Sequence, residues 1–185
     1  MYLIVGLGNP EPEYSKTRHN MGFDAVNKIS KEFEISVSKE KFEGLFGTGT
    51  VNGEKVILLK PQTYMNLSGK CIKRYIDFYK IDLSNVLVIY DDMDVEKGTI
   101  KVRKMGGPGT HNGMKSVVSE LQSEEFPRVR VGIGRTDEPY EMIDYVIKPV
   151  SDEEYKLLDK GTEKAKEAVI EYIENGIDSA MNKYN

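Results

Sequence analysis

Two short stretches, T-R-H-N at 17–20 and T-H-N-G at 110–113, hold the only two histidines of this 185-residue chain. Histidine has an ordinary pKa of about 6.5, so it can take up and return a proton near neutrality, which few other side chains do. A third stretch, Y-D-D-M-D at 90–94, supplies carboxylates at the end of an apolar run. An acid there is a solvated turn, a metal ligand, or the partner that orients a histidine ring and stabilises its charged form. For Asp92 and Asp94 the solvated turn is preferred. No H-E-x-x-H or comparable ligand spacing supports a metal site, and Asp91 with a histidine needs only proximity in space. No serine stands in an obvious nucleophile elbow and Cys71 falls in a helical stretch, so a histidine here would activate water in preference to a side-chain nucleophile. His19 and His111 compete for that role on composition alone.

Three asparagines stand where chains turn between elements. Asn9 lies in V-G-L-G-N-P after an apolar strand, a pattern with two of the glycines of a dinucleotide-binding turn but not the third. Pro10 and Pro12 also stop a helix from starting at once, so the stretch is read as a strand-end loop presenting Asn9, the place where ligands of open α/β sheets sit. Asn66 in Y-M-N-L-S-G and Asn112 in H-N-G-M-K-S each precede a helical pattern. Either is an N-cap, or an amide that donates to a developing oxyanion or holds a substrate carbonyl. G-G-P-G at 106–109 reads as a mobile loop beside them, suited to gating.

These residues need elements to carry them. Y-L-I-V-G opens as a buried strand, and a helix follows with Asn20 near its cap and Phe23, Val26, Ile29 and Phe33 on one face. Asn52-Gly53 between F-E-G-L-F-G-T-G-T-V and K-V-I-L-L-K-P is the favoured two-residue turn of an antiparallel hairpin. Helical spacing runs through Cys71 or Ile72, Tyr75, Ile76 and Tyr79, V-L-V-I-Y-D-D and G-T-I-K-V-R-K read as strands, and N-G-M-K-S-V-V-S-E-L-Q as helix. R-V-R-V-G-I-G-R alternates like a strand, E-M-I-D-Y-V-I-K-P is ambiguous, and Ser151 with Glu154 forms a capping box. The helix begun there is expected to yield near Lys160-Gly161, before a second one through Ala165, Ala168, Val169, Tyr172 and Ile173. Alternating strands and helices predict an α/β fold: a single-domain sandwich over 1–185 with a mixed, mostly parallel twisted sheet flanked by helices, and 151–185 as a C-terminal helical segment.

Hydrophobic residues at 39% and charged residues at 30% fit a globular protein. The lone Cys71 has no internal disulfide partner, and the amino terminus lacks the features of a signal peptide. A cytoplasmic protein with no membrane span is expected. The net charge of −4 conceals an asymmetry: residues 97–135 carry +5 and residues 136–185 carry −7. A basic middle is compatible with a bound polyanion, and a solvated mixed surface explains the charge equally well.

Six motifs, V-G-L-G-N-P, T-R-H-N-x-G-F, K-P-Q-T-Y-M-N-L-S-G, Y-D-D-M-D, H-N-G-M-K-S and F-P-R-V-R-V-G-I-G-R, occur in the order found in bacterial peptidyl-tRNA hydrolase, which the chain resembles from residue 2 to about 150. The resemblance implies an esterase that cuts the bond between a peptide and the terminal ribose of tRNA, needing no cofactor and no metal. It implies that His19 takes a proton from the attacking water, that Asp91 orients its ring, and that Asn9, Asn66 and Asn112 line the cleft with Met65, Tyr64 and Tyr14. Lys101, Arg103 and Arg130 match positions used against tRNA phosphate, contacts that carry no base identity. It leaves His111 as a loop or structural group, and peptidyl-tRNA as the partner of a monomer. A noncatalytic RNA-binding relative of the same fold is the alternative. The chain departs from the family at Gly107, Pro108 and Thr110, where serine, alanine and glycine are usual, so a stiffer gate is expected.

Overall fold

The computed structural model describes residues 1–136 and 142–185. Its strands are β1 (Tyr2–Gly6), β2 (Lys39–Lys41), β3 (Gly44–Val51), β4 (Glu54–Pro61), β5 (Val86–Asp92), β6 (Ile100–Arg103) and β7 (Arg128–Gly132). They form one sheet in the order β2-β3-β4-β1-β5-β7-β6. The central strands β4, β1, β5 and β7 are mutually parallel, whereas β3 and β6 run against their neighbours. β2 pairs antiparallel with β3 and so shares the central direction, which makes the sheet mixed and mostly parallel, as expected. The hairpin turns at Asn52 and Gly53, both with positive φ, as a two-residue primed turn requires.

The central strands are apolar because helices cover both faces. On one side α1 (Met21–Phe33), α4 (Met142–Ile147), α5 (Asp152–Asn175) and α6 (Ile177–Tyr184) pack on Ile4, Leu58, Leu87, Ile89, Val129 and Val131. On the other, α2 (Ser68–Tyr79) and α3 (Asn112–Leu121) pack on Leu3, Val5, Leu59, Val88 and Tyr90. No described helix is long and apolar enough to cross a membrane. The ambiguous stretch near 141–149 forms α4, except that residue 141 lies outside the described residues.

Two expectations change. The helix begun at Ser151 does not yield at Gly161 but continues to Asn175. A single glycine costs a helix about 1 kcal/mol, whereas burying each of Leu158, Val169 and Ile173 returns about 1.5–3 kcal/mol, so packing prevails. Gly161 also lets α5 lie close on the sheet, because a Cβ there would stand 3.3 Å from the Val131 side chain. Ser151 does cap α5 through the Glu154 amide, but the Glu154 carboxylate turns away to Arg18 and Lys97 instead of closing the box. Asn20 stands at the N-cap position of α1, as expected, but its side chain makes no cap bond there. A 3-10 turn at Arg18–Asn20 leads directly into that helix, and the Asn20 amide is engaged elsewhere.

Candidate active site

The carboxyl ends of β1 and β5 open into a cavity of about 930 Å³ lined by Asn9, Tyr14, His19, Tyr64, Met65, Asn66, Asp91 and Asn112 among others. Three chain segments converge there for different reasons. The V-G-L-G-N-P loop leaves β1 and is clamped by Asn20, whose amide accepts from the Asn9 N–H at 2.8 Å and donates to the Asn9 carbonyl at 2.9 Å. Gly22 brings the start of α1 onto the sheet: a Cβ at that position would lie 2.4 Å from Leu7 N and 2.5 Å from Ile89 O. The glycines thus serve close packing, and the turn before α1 sets His19 over the end of β5.

Asp91 is buried at that strand end and binds both histidines. His19 Nδ1 lies 2.9 Å from one carboxylate oxygen, and His111 Nε2 lies 2.9 Å from the other. The imidazoles stand 4.9 Å apart, and the Tyr90 ring meets the back of His111 edge-on at 5.1 Å. His111 is also the N-cap of α3, its Nδ1 accepting from the Met114 N–H at 3.1 Å. An acceptor nitrogen carries no proton, so in the tautomer assigned from this network His111 donates to Asp91 through Nε2. His19, whose Nδ1 donates to the carboxylate, has no hydrogen bond at Nε2 among the described residues. Asparagine was one expectation for the cap before α3, but histidine fills it and Asn112 opens the helix as an exposed residue.

Burial opposes charge on both partners, yet their attraction wins. Desolvation lowers the His19 pKa, but the charge and hydrogen bond of Asp91 raise it above its ordinary 6.5. Desolvation would likewise raise Asp91, and the two histidines instead hold it well below the usual carboxylate range. The ring and carboxylate atoms of His19, Asp91 and His111 lie within 4.8 Å of one another. They could grip a cation only by surrendering the protons that now bridge them.

The asparagines differ in what they offer. Asn9 is nearly buried, and its Oδ1 accepts from the Met65 N–H at 3.1 Å, leaving the amide NH2 as the group it can present. Asn66 sits in a 3-10 turn at Met65–Leu67 and is exposed, with Leu67 and not Asn66 at the N-cap position of α2. Tyr64 is 65% exposed beside it, and Met65 is buried as the cavity wall. The G-G-P-G loop lines the cavity, tied down where Gly106 N–H donates to Glu124 O and Arg128 reaches Gly107 O.

The basic residues also separate. Register sets Lys101 opposite Arg130 and Arg103 opposite Arg128 on the face that Tyr90 shares. Arg103 and Arg130 line the cavity, whereas Lys101 does not. Arg128, on the same face by alternation, is buried and spent on the carbonyls of Phe126 and Glu124. Asp92 and Asp94, expected as solvated acids, pair with Arg130 and Arg135. Sequence reasoning missed the bond from His111 to Asp91, although a histidine directly before a helical pattern was a signal for its capping half. Nothing in the sequence marked Arg128 for burial.

A sheet of this topology, with a histidine–carboxylate cluster at its carboxyl end and arginines on the same rim, has the form of an α/β enzyme. The relatives give that class a family. A family model described as Peptidyl-tRNA hydrolase matches residues 3–185. The peptidyl-tRNA hydrolase of Caldanaerobacter subterraneus subsp. tengcongensis is 52% identical over 185 residues, covering 100% of both chains. That of a Thermoanaerobacter species is 50% identical over the same span, again 100% of each. The crystal structure of peptidyl-tRNA hydrolase from Acinetobacter baumannii superposes with a TM-score of 0.93 at 35% identity, covering 100% of this chain and 94% of that one. The chain belongs to the peptidyl-tRNA hydrolase family.

Proposed function

We propose that this protein hydrolyses the ester between a peptide and the 3′-terminal ribose of tRNA, with His19 as the base that activates water. The observation that carries the assignment is the unequal use of the two imidazoles on Asp91: among the described residues both nitrogens of His111 are bonded, whereas His19 Nε2 is left over. Water gives a proton to that nitrogen as its oxygen attacks the ester carbonyl. Asp91 keeps the ring in the required tautomer and stabilises the imidazolium that forms. The Asn9 amide NH2, turned outward because Met65 holds its oxygen, donates to the developing oxyanion. Collapse of the tetrahedral intermediate breaks the bond to the ribose oxygen, which takes the proton back from His19. The products are free tRNA and the peptide acid, which gives its proton to solvent to become the carboxylate. A ribose hydroxyl is a tolerable leaving group, so no stronger acid is required.

Asn66 and Asn112 are exposed at the cavity and carry both donor and acceptor, which suits reading a peptide backbone without regard to side chains. Tyr14, Tyr64 and Met65 supply the apolar wall. Arg130 and Arg103 meet tRNA phosphate from the cavity wall, Lys101 adds a weaker attraction from beyond that wall, and the protein acts as a monomer in the cytoplasm. The test compares N-acetyl-aminoacyl-tRNA with the unacetylated form, using the native protein and His19→Ala. Cleavage of the acetylated form alone, lost in the variant, is expected; substrate left intact for hours by a protein that still binds tRNA would instead mark a noncatalytic RNA-binding relative. Because the His19, Asp91 and His111 cluster has metal-ligand chemistry, the same assay in EDTA separates the two chemistries. Turnover is expected to be undiminished by the chelator.

A further inference from the structure

Asp92 follows the acid that holds the histidines, yet it points to the other face of the sheet. Strand alternation puts Tyr90 and Asp92 on one face of β5, and the parallel register sets Tyr90 beside Arg130 and Asp92 beside Gly132. Arg130 is therefore the diagonal neighbour of Asp92. Its Nε donates to Asp92 Oδ2 at 2.8 Å, the only hydrogen bond of that guanidinium among the described residues. The carboxylate is itself immobilised. Its other oxygen accepts from the Asp94 N–H at 2.8 Å, and its backbone carbonyl accepts from Val95 and Ile133.

This differs from every other arginine near the cavity. Arg128 is consumed by carbonyls, Arg103 turns Nη1 back onto its own strand at Val102 O, and Arg135 pairs with Asp94 on the open surface. Arg130 is anchored through Nε alone, so both terminal amino groups stay available at the wall it shares with His19. A guanidinium presents paired N–H groups to phosphate, but only when its plane is fixed. An acid beside a polyanion site should weaken binding by repulsion; this one also removes the rotamer freedom that an exposed arginine must otherwise give up on binding.

We infer that Asp92 is a positioning residue for the proposed hydrolysis, holding Arg130 so that its two terminal amino groups receive a tRNA phosphate. The inference rests on the assignment of Arg130 to the phosphate site. It requires that deleting a negative charge weaken the hold on a polyanion, the reverse of simple repulsion. Steady-state hydrolysis of N-acetyl-aminoacyl-tRNA, with tRNA affinity measured across salt concentrations, tests it in four variants. Asp92→Ala is expected to raise KM roughly tenfold with kcat within about twofold, and to flatten the salt dependence by about one phosphate contact. Asp92→Asn can offer its one amide oxygen to Nε only by giving up the bond from the Asp94 N–H, so it should recover part of the affinity. Arg130→Ala should match Asp92→Ala, and the double variant should be no worse than Arg130→Ala alone. Tighter tRNA binding by Asp92→Ala, additive losses in the double variant, or a fall in kcat at constant KM would overturn the inference. Weakened Arg130→Ala beside an unaffected Asp92→Ala overturns this step alone. An unaffected Arg130→Ala overturns the phosphate site itself and the inference with it.

Discussion

His19 and His111 bind the two oxygens of one carboxylate at the same distance, 2.9 Å, and still differ in what their far nitrogens meet. The His19 arm comes from a turn clamped to the β1 loop by Asn20 and ends in a nitrogen with no partner among the described residues. The His111 arm comes from the cap of α3, where the Met114 N–H occupies its second nitrogen. On the proposed assignment, what separates a base from a scaffold is the neighbour of the far nitrogen, not the contact with the acid.

The sharpest way to break that contrast is to remove each ring in turn. His19→Ala is expected to lose roughly 10²–10⁴-fold in kcat, the usual contribution of a positioned base, while tRNA affinity survives. His111→Ala should lose less than about tenfold in kcat. It should also unfold more easily by roughly 1–3 kcal/mol, because a helix cap goes and a buried carboxylate oxygen loses its donor. His111→Asn, which restores the cap but not the bond to Asp91, should recover part of that stability. Single-turnover kinetics and thermal melts separate the two quantities, and equal kcat losses from both alanine variants would dissolve the distinction.

Asp91→Asn tests the same contrast through the shared acid. An amide offers one acceptor and one donor, so it cannot accept from both rings. His111 is fixed by Met114 as a donor at Nε2, so it takes the amide oxygen, and the NH2 must face His19 Nδ1. That forces the His19 proton onto Nε2 and removes the lone pair from the cleft. A loss of about 10²-fold or more in kcat follows, as wrong-tautomer histidines give elsewhere. Adding His111→Ala to Asp91→Asn frees the amide to turn, and is expected to restore roughly tenfold of the loss. Further loss in the double variant would mean that His111 does not dictate the tautomer of His19.

Sequence alone went far with residues whose roles are local and less far with roles set by competition in space. The hairpin at Asn52-Gly53, the alternation of β7 and the helix through Cys71, Tyr75 and Ile76 are written in neighbouring residues, and they appear where expected. Most of the expected cleft residues could be named because six separated motifs occur in one family, and the fold gathers His19, Asp91, Asn9, Asn66 and Asn112 at one cavity. Asn20 holds the cap position expected of it, but a cap and a loop clamp ask for the same amide, and the approach of the Asn9 backbone decides for the clamp. Arg128 and Arg130 are equivalent by alternation; the first is swallowed by the 124–127 turn and the second meets Asp92. No local pattern carries that difference.

Acidity gives the contrast a pH signature. The base form of His19 must be neutral, and its pKa lies above 6.5, so kcat should climb about tenfold per pH unit below that pKa and level off above it. Stability runs the other way. The contribution of the raised His19 pKa is fully present below 6.5 and is lost as pH rises through the folded value. The contribution of the depressed Asp91 is present above 3.8 and is lost as pH falls toward its folded pKa. Between about 3.8 and 6.5 the pair stabilises most, while kcat is still on its rising limb and below its plateau. His19→Ala should flatten the alkaline side of the stability profile, and denaturant titrations at a series of pH values measure it. A pH-independent difference between the variant and the native protein would detach the pair from stability.

The smallest effects lie on the rim, where the same logic of committed and uncommitted groups recurs. Arg103 lines the cavity and Lys101 does not, although both project from the same face of β6. Exposed cations act on a polyanion mainly through counterion release, so each phosphate contact contributes about 0.9 to the slope of log affinity against log salt if the contacted segment is duplex. Arg103→Ala should lower that slope by nearly a full contact and weaken binding several-fold at moderate salt, whereas Lys101→Ala should change affinity less than about threefold. Fluorescence titration of tRNA at four or more salt concentrations reads both. Equal slopes for the two variants would mean that phosphate runs along the outside of β6, beyond the cavity wall. An unchanged slope in the double variant would remove the strand from the phosphate path and leave Arg130 as its contact on this face.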